Sequence, residues 1–353
     1  MRLSKKALFL ANARGEFTDK TPVWIMRQAG RYLPDYRKIR EQYTFEALAR
    51  TPKAVAEVSA QPVEIFDLDV AIVFSDILFI LEPLGLDLTF NPGPILTPIL
   101  NTPEQARQFK PYDPSGPLDF VADGLLETRK RIGDAIALLG FCGAPFTLFC
   151  YLCGMQGQKD FYKPLRFLLN YPRESEFVLD LLTTLSIDYL KLQLNNGADA
   201  VQIFDTWAGD LSESEYRLWA YPYVKRIVNA LRDDDQICSV YVKNGYHLME
   251  TVCQLDARII SIDWKTPLQD ASKRITGKCL QGNLNPYTLL GPKEVVIQQA
   301  NEILVAMKDR PGYIFNLGHG ILPQTPVENV HALIDTVHAF KRNSSCPTLM
   351  TST

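Results

Sequence analysis

Residues 22–33 read Pro22-Val23-Trp24-Ile25-Met26-Arg27-Gln28-Ala29-Gly30-Arg31-Tyr32-Leu33, and this stretch sets how the rest of the chain is parsed. The apolar run from Val23 to Met26 predicts a buried strand. It stops at two arginines four residues apart. An arginine is rarely buried without a partner, and its planar fork suits a carboxylate or phosphate. Two of them where a strand ends, with Gly30 permitting sharp backbone geometry, predict an anion clamp in a cleft. Internal salt bridges are the competing reading.

Working outward, the same pattern recurs. Short apolar, β-rich runs followed by polar breaks occur at 22–26, 70–75, 136–141, 199–204, 237–242, 257–262, 277–281 and 311–316. Helical periodicity fills 103–131, 174–196, 211–232, 292–308 and 326–341. Thr102-Pro103-Glu104-Gln105 and Thr325-Pro326-Val327-Glu328 each offer a threonine cap, a proline and a Gln or Glu for a capping box. In the last helix Val330, Leu333, Ile334 and Val337 form one stripe. Between the fifth, sixth and seventh strands the helices are expected to be short. Residues 84–101, rich in Pro and Gly, are expected to form a long loop. Strand followed by helix, eight times over, predicts a parallel sheet closed into a single-domain (β/α)8 TIM barrel spanning residues 1–342. The tail, 343–353, is expected to be disordered. No G-x-G-x-x-G follows an early strand, so a dinucleotide-binding sheet has no support.

Composition narrows the function classes. Of 353 residues, 46% are hydrophobic and 22% charged, with a formal net charge of −3. That balance argues against a broad basic surface for nucleic acid. An anionic ligand would have to be held by local cations. Seven cysteines, an odd number, make no disulfide framework, and reduced thiols in the cytoplasm are the expectation. The apolar part of the N-terminus, Ala7 to Ala11, is shorter than the roughly 7–15 residues of a signal peptide core. No apolar run approaches the roughly 20 residues of a membrane span.

In such barrels the active site lies at the C-terminal ends of the strands. There the sequence places Arg27, Arg31, Ser75-Asp76, the 140–148 segment with Tyr151 beyond, Phe204-Asp205-Thr206-Trp207, Lys243-Asn244-Gly245, Asp263-Trp264, Gln281-Gly282-Asn283 and Gly318-His319-Gly320. Arginines, a histidine, a tyrosine and aspartates suit a polar, anionic small molecule. Each has a plainer competitor. Asp76 can cap a following helix, and Tyr151 can be a core aromatic. His331 and His338, on a helix, read as surface or packing residues. Cys150 and Cys153 form one C-x-x-C, too little for a zinc site. His319 between two glycines is harder to assign to packing, because glycine lets a ligand approach closely.

These residues resemble a family. The run Pro22–Pro34 is similar to the N-terminal signature of the uroporphyrinogen decarboxylases. The similarity continues through Phe74-Ser75-Asp76, Gly140 to Tyr151, Phe204 to Trp207, Gln281 to Leu284 and Asn316 to Gly320, in order over residues 5–341. The resemblance implies a (β/α)8 barrel that forms a homodimer. It implies removal of carbon dioxide from the four acetate side chains of uroporphyrinogen III, giving coproporphyrinogen III, without metal or organic cofactor. It further implies that Arg27 and Arg31 bind carboxylates and that Asp76 faces the pyrrole N–H groups. Tyr151, Phe204, Thr206 and His319 would complete the pocket, with Asp76, Tyr151 and Arg27 closest to the chemistry. One departure is local. After Tyr151 the family usually continues with an acidic residue and a glycine run, where this chain has Leu152-Cys153-Gly154-Met155-Gln156-Gly157-Gln158. Two rivals remain at this point. One is a related methyltransferase, which would need His and Cys zinc ligands; Tyr241 to Gly245 supplies none. The other is a barrel that only binds tetrapyrrole or a protein.

Overall fold

The computed structural model describes residues 3–90 and 93–342. The tail expected to be disordered lies outside these residues. The strands are β1 (Val70–Ile72), β2 (Asp87–Phe90), β3 (Pro94–Thr97), β4 (Ala137–Gly143), β5 (Ala200–Asp205), β6 (Cys238–Val242), β7 (Ile259–Ile262), β8 (Cys279–Leu284) and β9 (Tyr313–Leu317). Seven pair in parallel in the order β1-β4-β5-β6-β7-β8-β9. Apart from half-buried Phe141 and Phe204, every residue of these seven strands is buried, as expected of a sheet covered on both faces.

The eighth stave is the 22–25 segment. It forms an isolated parallel bridge, Val23 to Phe315, instead of an extended ladder. Phe315 N donates to Pro22 O at 2.9 Å, and Trp24 N to Phe315 O at 3.3 Å. On its other side Asp69 N donates to Val23 O at 3.1 Å, and Val23 N to Asp69 Oδ2 at 2.8 Å. The barrel closes between β9 and β1 through this segment, and the chain is a single-domain (β/α)8 barrel.

The barrel interior is a packed core with a polar layer. Trp24 Nε1 donates to Gln281 Oε1 at 2.9 Å, and Gln281 Nε2 to Gln202 Oε1 at 2.8 Å. Ser261 and Ser239 complete the layer, each 3.0 Å from its partner. Buried amides in an apolar barrel need such partners. The first helix, Lys5–Ala13, carries Phe9 into one cluster with Val70, Ala137, Ala200, Ile259 and Cys279, the first strand residues. It thereby plugs the floor of the barrel.

Several sequence expectations change. The 103–131 helix is two helices, Pro103–Gln108 and Asp119–Ile132. Pro111, Pro114, Gly116 and Pro117 break it. The 211–232 helix is divided at Ala220 into Glu213–Trp219 and Tyr221–Asp233. The 84–101 loop contains the antiparallel hairpin β2–β3. The capping box forms at Thr102 with Gln105, but not at Thr325, where the helix begins at Val327 without a side-chain cap. The helices after β6 and β7, Met249–Val252 and Leu268–Arg274, are short as expected. The Val330, Leu333, Ile334 and Val337 stripe is buried.

Candidate active site

Arg27 sits where the first stave turns away from the barrel. Its own backbone is left-handed, with φ +64°, a conformation that a long side chain adopts only when its surroundings impose it. The expectation that Gly30 supplies the sharp geometry is therefore corrected. Gly30 instead allows a close approach, since a Cβ there would lie 3.0 Å from Arg27 O. The turn is held by buried Gln28, which accepts from Ile25 N at 3.1 Å and donates to Val70 O at 3.0 Å. Met26 N reaches Asn316 Oδ1 at 3.0 Å, and Ile321 N reaches Met26 O at 2.9 Å. Arg27 and Arg31 are both exposed, and neither guanidinium forms an ion pair among the described residues. The internal salt-bridge reading of this pair is not what the structure contains.

Asp76 follows β1 and is half-buried. One oxygen accepts from Leu78 N at 2.9 Å, so the residue does cap the next turn. Burial pushes its pKa up to about 6, against the opposing pull of the Leu78 N–H and the Arg27 charge. Tyr151 stands on the helix Pro145–Leu152, edge-on to Trp207 with ring centres 6.4 Å apart. Burial raises its pKa, and the Asp76 charge adds to the rise. Phe204, half-buried at the end of β5, packs edge-on against Phe141 and Tyr241 at 5.7 and 6.0 Å. These rings give the mouth an aromatic floor. Thr206 is half-buried beside it, with no side-chain hydrogen bond among the described residues.

His319 follows β9. It lies flat on Tyr241 and tilted against Trp264, with ring centres 6.2 and 6.1 Å apart. Burial, reinforced by the charges of Arg27 and Lys243, pulls its pKa down to about 3. It shares a wall with Arg27, for a Cβ on neighbouring Gly320 would lie 2.4 Å from Arg27 Cδ. Thus Arg27, Asp76, Tyr151, Phe204, Thr206 and His319 gather around one mouth. Arg31 lies on the exposed turn beside it.

Sequence reasoning placed Lys243, Trp207 and Trp264 at strand ends but gave none of them a role. Lys243 is half-buried with its ammonium 5.6 Å from the Trp207 ring centre. Their signal was position alone: each lies within two residues of the end of a strand. The 152–158 loop folds across one flank of the mouth. Gln158 Nε2 donates to Asp210 Oδ1 at 3.1 Å, and Lys163 Nζ to Gly154 O at 3.0 Å. Between this loop and the β2–β3 hairpin runs a cleft of about 290 Å³, with Tyr151 on its inner wall. A second cleft, of about 210 Å³, lies farther out between Leu100 and the helix Tyr162–Asn170, away from the strand ends. His331 is exposed against Phe66, while His338 pairs with Asp69 at 3.2 Å on the barrel floor. Among the described residues no three His, Cys, Asp or Glu side chains converge as a metal site, and no helix is long and apolar enough to cross a membrane.

Fold and strand-end chemistry define a (β/α)8-barrel enzyme with its site in the mouth. Comparison with known proteins narrows this. The profile of the family described as uroporphyrinogen decarboxylase (URO-D) matches residues 4–340. A uroporphyrinogen decarboxylase from Pelobacter propionicus is 40% identical over 336 residues, covering 95% of this chain and 99% of the relative. One from Geobacter sulfurreducens is 39% identical, covering 95% and 98%. The chain belongs to the uroporphyrinogen decarboxylase family. Among solved structures, a methyltransferase from Methanosarcina mazei superposes with a TM-score of 0.79 over 95% of this chain and 98% of its own, at 21% identity. That likeness concerns the fold alone.

Proposed function

We propose that this chain removes carbon dioxide from the four acetate side chains of uroporphyrinogen III, leaving methyl groups and giving coproporphyrinogen III. The observation that carries the reading is Asp76: a half-buried carboxylate in a barrel mouth, close enough to Arg27 to feel its charge and close enough to Tyr151 to raise the pKa of that phenol. Such a group suits a cationic intermediate.

Breaking the bond to the carboxylate leaves an electron pair that needs a sink. The pyrrole itself serves when a proton adds to the ring carbon beside the acetate-bearing carbon. The ring is then cationic, and the pair from the broken C–C bond flows into it as carbon dioxide leaves. A second proton converts the exocyclic methylene to methyl, and loss of the first restores the pyrrole. The net change per acetate is one proton taken up and one carbon dioxide released. No organic cofactor or metal is required by this scheme. Asp76, facing the ring nitrogens, stabilises the cation in a site poor in water. Arg27 and Arg31 hold peripheral carboxylates and select which acetate reacts. Phe204 packs under the macrocycle, and Tyr151, Thr206 and His319 line its edge.

The reading includes a homodimer in the cytoplasm, with no nucleic-acid or membrane partner. Leu169, Tyr162 and Phe177, exposed on adjoining helices, offer an apolar face for a second copy. Sedimentation equilibrium measures that state directly. The activity is tested by incubating purified protein with chemically reduced uroporphyrin III without oxygen, then separating products by carboxylate number. Stepwise appearance of seven-, six-, five- and four-carboxylate species supports the reading, while unchanged substrate refutes it.

A further inference from the structure

Two arginines and one neutral imidazole, the carboxylate-binding groups assigned so far, stand on one side of the mouth. Going round the barrel, the staves run 22–25, β1, β4, β5, β6, β7, β8, β9. Arg27 and Arg31 follow the first stave and His319 the last, so all three share one wall. A macrocycle with carboxylates around its whole rim needs cations on the opposite wall as well. In an eight-stave barrel that wall is the fifth, β6, and Lys243 is the first residue after it.

Resting on the decarboxylase reading above, we propose that Lys243 is a substrate-binding residue, holding a rim carboxylate of the macrocycle across the mouth from Arg27. Its ammonium is half-buried, lies 5.6 Å from the Trp207 ring centre, and forms no ion pair or hydrogen bond among the described residues. The indole fixes the lysine's direction while leaving its donors unused. Next along the rim, exposed Lys265 lies 5.7 Å from the Trp264 ring centre in the same manner. Burial lowers the Lys243 pKa; Asp210 and Asp263 oppose this, while Arg27 and Lys265 act with it. A half-buried lysine facing two further cations gains when an anion arrives. A carboxylate delivered here meets an unsatisfied donor and relieves repulsion already present.

The test is steady-state kinetics on uroporphyrinogen III, without oxygen, for the unaltered chain, Lys243→Met, Lys243→Gln and Lys243→Arg. The Met and Gln variants should raise KM roughly ten-fold with kcat within about three-fold, and Arg should recover most of the affinity. Two neutral replacements are carried so that a folded one is available, checked by near-ultraviolet circular dichroism. KM unchanged in a folded neutral variant overturns the proposal. So does a fall in kcat at constant KM, which would place Lys243 in the chemistry. If the unaltered chain leaves uroporphyrinogen intact, the decarboxylase reading fails and this proposal fails with it. If the unaltered chain is active, only the lysine is on trial.

Discussion

Tyr241 and His319 are locked together. Their rings lie 12° from parallel, and the Tyr241 hydroxyl sits 3.1 Å from His319 Nδ1 while donating to Gly318 O at 2.9 Å. Because that hydroxyl hydrogen is already used, the neutral imidazole carries its proton on Nδ1 and donates it to the tyrosine oxygen. Nε2 is then left with a lone pair. With a pKa near 3, the imidazole is neutral at ordinary pH and is no reservoir of protons.

His319→Asn should therefore keep most of the turnover and weaken binding. A resident proton donor would show instead a loss of roughly 10²–10⁴ in kcat. Rapid-quench measurement of a single turnover separates the two outcomes.

Asp76 sets an acid limit on activity. Its carboxyl holds its proton up to about pH 6, and only the ionised form stabilises a cationic ring. For the free enzyme, kcat/KM should rise as pH rises through about 6 and then level off. Asp76→Asn should remove this limb and lower kcat by roughly 10²-fold or more, with KM changed far less. Near-normal turnover in Asp76→Asn would end the electrostatic role.

Gly320 tests Arg27 without altering it. An added methyl would lie 2.4 Å from Arg27 Cδ and 3.0 Å from its Nε, so the flexible arm must move. Gly320→Ala should leave the melting temperature nearly unchanged and raise KM, as Arg27→Ala should by removing a contact of roughly 1.5–3 kcal/mol. A double variant no worse than Arg27→Ala alone would show that both act through the guanidinium.

Asp205 gives a stability signature. It is fully buried, with Thr147 Oγ1 donating to Oδ1 at 2.8 Å, and burial raises its pKa to about 7. The folded state keeps this proton up to about pH 7, whereas the unfolded chain releases it near the ordinary value of 3.8. Between these limits the native state binds more protons, so stability should fall as pH rises. Asp76 contributes in the same sense only up to about 6. Asp205→Asn should flatten the slope between pH 6 and 7 in urea unfolding; an unaltered slope would mean that the acid is ionised in the folded state.

What the sequence revealed depended on the kind of signal. Seven staves were legible because each is a buried apolar run closed by a polar break. The first was legible as apolar, yet its pairing is a single bridge, which no local pattern could foretell. Helical periodicity runs unbroken over 103–131, but Pro111, Pro114 and Pro117 override it and divide the segment into two helices. The floor helix Lys5–Ala13 was missed because its apolar core resembled the start of a leader. At the site, the residues carried by the family resemblance gather around the mouth, with Tyr151 on the helix Pro145–Leu152 and Arg31 on the turn beside it. The family signature did not single out Lys243. Nor did it show that His319 is stacked on a neighbour that claims one of its nitrogens.

The single-bridge stave has a further consequence. Elsewhere in the barrel, neighbouring strands recognise one another through main-chain groups that every residue possesses, so side chains there are free to drift. Here much of the recognition is written in side chains: Asp69 on Val23, Gln28 on Ile25, Asn316 on Met26. Closure of the cylinder has become a matter of vocabulary, and three particular words must be spelled correctly for the arginines beyond them to be aimed at all.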